Sequence, residues 1–247
     1  MNQSYILHIE GTSETMSDAA REKLIGWRER AVELARRHER LVYLNGPDER
    51  RVALTFDDGP DERITPMIAE TLSRYGAKGN FFFVGSKMEQ YPEVVKAVDE
   101  AGHLVFGHSY NHDRLTTLAM PDLELNFRQT QTIIRKIIGK EPAMFRPPFG
   151  DANENVIRTA YKEGLTTVLW SLDTLDWSQK EEEHIRWNVA TYVRNGEIIL
   201  MHSSPGCIET ANALPRMIED LQSKQIRIVD LAELLQLPAY TTGERRS

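Results

Sequence analysis

From Arg51 onward, short β-rich apolar runs alternate with helical segments, and no other feature restricts the possible fold as much. The runs are Val52–Phe56, Lys78–Val84, Leu104–Gly107, Ala143–Arg146, Thr166–Ser171, Glu197–His202 and Ile226–Val229, about seven strands. The helices between them carry matching punctuation. Thr65-Pro66 opens one that Gly76 closes, Pro92 opens another that Gly102 closes, and Pro121 opens a third that Gly139 closes. Proline suits a first turn, whose N–H groups have no intrahelical acceptor, and glycine suits the left-handed residue past the end. Strand–helix alternation implies parallel pairing with the helices outside. No glycine-rich dinucleotide turn is present, so the expected fold is α/β, a barrel of about seven such units rather than a doubly wound open sheet.

A chain of 247 residues, 40% hydrophobic and 27% charged, can bury a full core as one domain. Residues 51–237 are expected to form the barrel, with 1–50 as an extension and 238–247 as a loosely held tail. Within the extension, a helix from Ser17 to Leu41 places Ala20, Leu24, Trp27, Ala31, Leu34 and Leu41 on one stripe. It is expected to pack on the barrel as a structural cap, and the protein is expected to be a monomer. The net charge of −7 and the lack of a long Lys/Arg run argue against a sequence-independent grip on nucleic acid or anionic lipid. The apolar runs are far shorter than the ~20 residues of a membrane span. Cys207 is the only cysteine, so no intrachain disulfide can form. Residues 1–20 contain neither Lys nor Arg and no long apolar stretch, and no export signal is expected in them.

Polar residues gather at one end of the predicted strands. Asp57-Asp58, His108 and His112, Arg146–Gly150, Asp173–Trp177 and Leu200-Met201-His202 all lie at or just past a strand's carboxyl end, the active-site face of a parallel barrel. Side chains on a strand alternate, so Asp57 and Asp58 can serve one site only where the strand ends, as Gly59-Pro60 implies. One carboxylate could then bind a cation while the other takes a proton. Two histidines and one carboxylate also describe non-haem iron oxygenase sites. Against that reading stands the second carboxylate, which hydrolysis needs and oxygen activation does not.

Thr55–Pro60, His108–His112, Arg146–Gly150, Asp173–Trp177 and Leu200–His202 together resemble the five ordered motifs of the polysaccharide deacetylases, the NodB-homology group of carbohydrate esterases (family 4). The resemblance runs from about Arg51 to Leu237. It implies a distorted (β/α)7-type barrel of parallel strands with outer helices, and metal-dependent removal of acetyl groups from N-acetylglucosamine units in peptidoglycan or chitin-like oligomers. Acetylated xylan or a non-sugar amide is the alternative substrate, and a non-catalytic sugar-binding barrel is a more distant reading. A leader removed before the present first residue would place the protein at the cell wall or outside the cell; otherwise the expectation is cytoplasmic.

Carried over residue by residue, the resemblance assigns a divalent metal to Asp58, His108 and His112, with Zn2+ first and Co2+ or Ni2+ as alternatives. Asp57 becomes the general base, held by Arg146. His202 becomes the acid that protonates the leaving amine, with Asp176, and less so Asp173, as its partner. Phe149 stands where the family more often has tyrosine; its backbone N–H would serve the oxyanion. Trp177 and Leu200 resemble the residues around the acetyl methyl group, although plain core packing explains them equally well. Pro147 and Tyr110 complete the expected substrate wall. His8, His38, His103 and His184 fall outside the motifs and are read as structural or surface residues.

Overall fold

The computed structural model of the chain describes residues 5–241. Its strands are β1 (Val42–Tyr43), β2 (Arg51–Asp57), β3 (Gly79–Phe83), β4 (Leu104–Gly107), β5 (Glu141–Pro142), β6 (Met144–Phe145), β7 (Thr166–Val168), β8 (Leu172–Asp173), β9 (Ile198–His202), β10 (Arg227–Ile228) and β11 (Tyr240–Thr241). The helices are α1 (Asp18–Arg37), α2 (Ile64–Arg74), α3 (Gly85–Gln90), α4 (Pro92–Glu100), α5 (Met120–Ile138), α6 (Glu154–Lys162), α7 (Glu182–Tyr192), α8 (Ile208–Ser223) and α9 (Leu231–Leu235). The main sheet runs β1-β7-β6-β4-β3-β2-β9-β8, with β10 beside β2, and its pairings are parallel. It curls into an open barrel with helices outside.

The central strands read as unbroken apolar runs because both of their faces are covered. On β2, Val52, Leu54 and Phe56 pack outward in a cluster with Ile68 and Leu72 of α2 and Leu214 and Ile218 of α8. Ala53, with Phe82 of β3 and Leu200 of β9, belongs to a second cluster on the inner side. The alternation therefore puts Thr55 and Asp57 on the inner face as well.

Residues 5–50 pack into the barrel wall. Glu10 adds to β8: its N–H donates to Ser171 O at 2.9 Å, and Asp173 N–H donates to Glu10 O at 3.0 Å. From that edge α1 crosses to β1, the other end of the sheet, and so covers the gap that an open barrel leaves. Ser17 caps α1 by accepting from Ala20 N–H. The helix ends at Arg37, short of the expected Leu41, because residues 38–41 must turn to bring β1 alongside β7. Of the expected strand Thr166–Ser171 only β7 forms: the chain leaves it before Trp170, which stacks on Trp27 with ring centroids 4.9 Å apart, and β8 begins beyond it at Leu172. The tail, expected to be loose, is held as far as Thr241: β11 pairs with β5, and Val105 N–H donates to the Tyr240 hydroxyl at 3.0 Å. Residues 242–247 of that tail lie outside the described residues. Among the described residues no helix is long and apolar enough to cross a membrane.

Trp27 is the contact that makes the helix part of the barrel, since its indole Nε1 also donates to Gly150 O at 3.3 Å. Trp27→Ala is expected to destabilise the protein by about 3 kcal/mol, the low end for truncating a packed tryptophan. Chemical denaturation would measure this, and a change near zero would make α1 a detachable cap.

Candidate active site

Asp57 is the last residue of β2, and Asp58 leaves the strand with φ +70°. That left-handed step turns both carboxylates toward one rim, which strand alternation alone would forbid. Asp57 is buried, and its Oδ1 accepts from Nη1 of Arg146 at 2.8 Å. The same nitrogen donates to Thr55 Oγ1 at 2.8 Å, while Nε and Nη2 donate to the carbonyls of Val168 and Leu169. Arg146 is fully buried, its guanidinium lying over the rings of Phe82 and Trp170. Burial lowers its pKa and Asp57 opposes that; an arginine there still stays charged. Asp57 Oδ2 is left free, 3.8 Å from His108 Nε2.

Across the rim stand Asp58, His108 and His112. Asp58 Oδ1 lies 3.4 Å from His108 Nε2 and 3.1 Å from His112 Nε2. His108 Nδ1 is 2.8 Å from the carbonyl oxygen of Arg146. A carbonyl only accepts, so Nδ1 carries the proton and the lone pair of Nε2 faces Asp58. His112 sits on a loop rather than a helical turn, with φ +61°. Burial opposes ionisation of Asp58; protonated imidazoles at His108 and His112 would outweigh it and hold its carboxyl well below the usual carboxylate range, as a shared cation in their protons' place would. One ligand atom from each residue lies within 4.8 Å of the others. The buried Asp58 Oδ1 has no hydrogen-bond donor. An orphaned carboxylate oxygen facing two imidazole nitrogens suits a shared cation, so the residues present fit a divalent metal.

His202 ends β9 in register with Asp57 on the neighbouring strand. Its Nδ1 is 2.8 Å from Asp176 Oδ1, and its backbone N–H donates to Asp176 Oδ2 at 2.8 Å. Thr210 Oγ1 also donates to that oxygen. Burial disfavours the imidazolium, yet Asp176 first, and then Asp58 and Asp57, raise the His202 pKa well above its ordinary value. Asp173 makes different contacts, accepting from Leu175 N–H at 2.9 Å and from Trp177 Nε1 at 3.3 Å. Burial pushes its carboxyl up to about 6. It braces the loop and the Trp177 ring.

The expected substrate wall divides. Phe149 and Trp177 are 51% and 46% exposed, enough to offer ring faces to a ligand. The Phe149 ring meets His112 edge-on at 4.7 Å and lies under the Arg114 guanidinium at 4.6 Å. Its backbone, at φ 61° and ψ 8°, forms a tight turn with Pro147 and Gly150. Leu200 is buried in the inner core cluster, and Pro147 is buried beneath the turn. Tyr110 packs beside Gly85, and its hydroxyl donates to Glu89 Oε2 at 2.8 Å, so it supports the histidine loop. Three further residues support the site without having been assigned a role from sequence: Thr55, Thr210 and Lys87. Thr55 had a signal, since it shares a strand face with Asp57 two residues on. Thr210 and Lys87 had none, because each reaches the site from a helix.

The family model for polysaccharide deacetylase matches residues 45–168. A peptidoglycan-N-acetylglucosamine deacetylase of Bacillus cereus is 34% identical over 212 residues, covering 84% of this chain and 76% of the relative. A solved peptidoglycan N-acetylglucosamine deacetylase superposes with a TM-score of 0.79 at 32% identity, covering 81% of this chain and 95% of the other. The solved chitin deacetylase of Colletotrichum lindemuthianum gives 0.77 at 25% identity, covering 83% and 97%. The match of motifs, fold and relatives leads to one conclusion: this chain belongs to the polysaccharide deacetylase family.

Proposed function

We propose that this protein is a metal-dependent hydrolase that removes acetyl groups from N-acetylglucosamine units of peptidoglycan, releasing acetate. The observation that carries the reading is the pairing, on one rim, of an Arg146-held Asp57 with an Asp176-held His202, beside the Asp58–His108–His112 cluster. A divalent cation held by that cluster, which we take to be zinc, supplies Lewis acidity toward water and an amide carbonyl. Arg146 fixes one oxygen of Asp57, so the other accepts a proton from water as its oxygen bonds to the acetyl carbon. The Phe149 N–H stabilises charge on the carbonyl oxygen. His202 then gives its proton to the nitrogen, the C–N bond breaks, and acetate and a free amine leave. Trp177 and Phe149 offer faces for a sugar ring or its acetyl methyl group. Peptidoglycan is preferred because two of the relatives described above are named for it.

The test is acetate release from defined muropeptides, chito-oligomers and acetylated xylan, before and after metal removal and re-addition of zinc. Release from muropeptides that stops on stripping and returns with zinc is the expected result, whereas acetate from xylan alone would overturn it. His108→Ala is expected to lose both metal and turnover, because two remaining ligands bind zinc far more weakly. Full metal occupancy in that variant would refute the ligand assignment.

A further inference from the structure

The three residues of the cation cluster lie on two loops that follow different strands, Asp58 after β2 and His108 to His112 after β4. Both loops contain non-glycine residues in the left-handed region: Asp58 at φ +70°, Ser109 at +59° and His112 at +61°. Such conformations persist only where the surroundings hold them. Here the holding element is α3, the short helix that follows β3, the strand between the other two. At its first turn, N–H groups that have no intrahelical acceptor turn to the histidine loop: Gly85 donates to Ser109 O at 2.9 Å and Ser86 to Tyr110 O at 2.8 Å. A Cβ at Gly85 would sit 2.8 Å from Tyr110 Cδ2, so the approach is as close as the backbone permits. Just before the helix, Val84 N–H donates to Gly59 O at 2.9 Å. From the same turn Lys87 reaches the other loop, its Nζ donating to Asp58 O at 2.7 Å.

We propose that Lys87 is a positioning residue of the metal site. By fixing the Asp58 carbonyl to the helix that also holds the histidine loop, it sets the Asp58 carboxylate opposite the two imidazoles. The inference rests on Asp58, His108 and His112 being the metal ligands. Two effects of opposite sign decide its test. An ammonium near a cation site repels the cation, so a lysine acting only as a charge would weaken metal binding, and its removal would tighten it. A lysine acting through its charge-assisted hydrogen bond strengthens binding by preorganising a ligand, and its removal loosens it.

The experiment measures zinc affinity of the full chain by competition with a chromophoric chelator, in wild type, Lys87→Met, Lys87→Arg and His108→Ala, alongside metal-free melting curves. Lys87→Met is expected to weaken zinc about 10-fold, as loss of an outer contact to a ligand does. Its metal-free melting temperature should stay within about 3 °C of wild type, and raising zinc should restore its kcat. Lys87→Arg should recover most of the affinity, since a guanidinium can donate to the same carbonyl. Unchanged or tighter zinc binding in Lys87→Met would overturn the proposal, as would a lowered metal-free melting temperature with wild-type affinity. If His108→Ala keeps its zinc, the ligand assignment itself fails. If His108→Ala loses zinc while Lys87→Met binds normally, only the role of Lys87 falls.

Discussion

Asp57→Asn is expected to keep its metal while losing about 10²-fold or more of its acetate release, the loss typical when a general base is removed. The amide keeps the size of the carboxylate and can still accept from Arg146, but it cannot take a proton from water. Asp58→Asn is expected to behave differently, losing metal and turnover together, because Asp58 Oδ1 is the oxygen that faces both imidazoles. The neutral residue at position 57 also leaves the buried Arg146 charge uncompensated, and breaking a buried pair costs about 3–5 kcal/mol. The assay therefore belongs well below the melting temperature, with metal content measured on the same sample. If both variants lose metal equally, the division of roles between the two aspartates is wrong.

The second large effect concerns His202. Its pKa is raised, so the ring stays protonated as pH climbs past the ordinary histidine range. The rate should then fall on the alkaline side as that proton is finally lost, giving the basic limb of a bell-shaped profile. With Asp58 committed to a cation, Asp176 carries most of the shift. Asp176→Asn removes that charge and leaves burial, which acts in the opposite direction, so turnover should drop and the basic limb should move to lower pH. His202→Ala should abolish most amide hydrolysis yet bind metal normally. The aryloxide of an activated aryl acetate leaves without protonation, so hydrolysis of that ester should suffer much less in His202→Ala than amide hydrolysis does. Equal loss on both substrates would remove His202 from the acid role.

Much of this site was legible along the chain because strand ends carry it. The turn at Gly59-Pro60 announced that two adjacent aspartates could share a rim, and the remaining motifs followed other strands at the same level. What could not be read was which side chains had other partners. Asp173 and Asp176 lie in one motif, and only the family resemblance ranked Asp176 first; in the fold Asp173 is taken up by Leu175 N–H and Trp177 Nε1 while Asp176 holds His202. Tyr110 looks like a substrate contact, but its hydroxyl goes to Glu89 on α3. A hydrogen bond between residues far apart in the chain depends on helix placement, which no local pattern specifies.

The layers and the rim follow from local pattern: alternation of apolar runs with capped helices dictates a parallel sheet with its loops gathered at one end, because both periods are local properties of the backbone. How that sheet closes and what holds the rim in shape depend instead on contacts made across the fold. The register of β2 against β9 sets Asp57 beside His202, α1 fills the gap between β8 and β1 through Trp27, and α3 ties two strained loops together through Gly85 and Lys87. These are contacts between distant segments, fixed by packing and register once the barrel has formed.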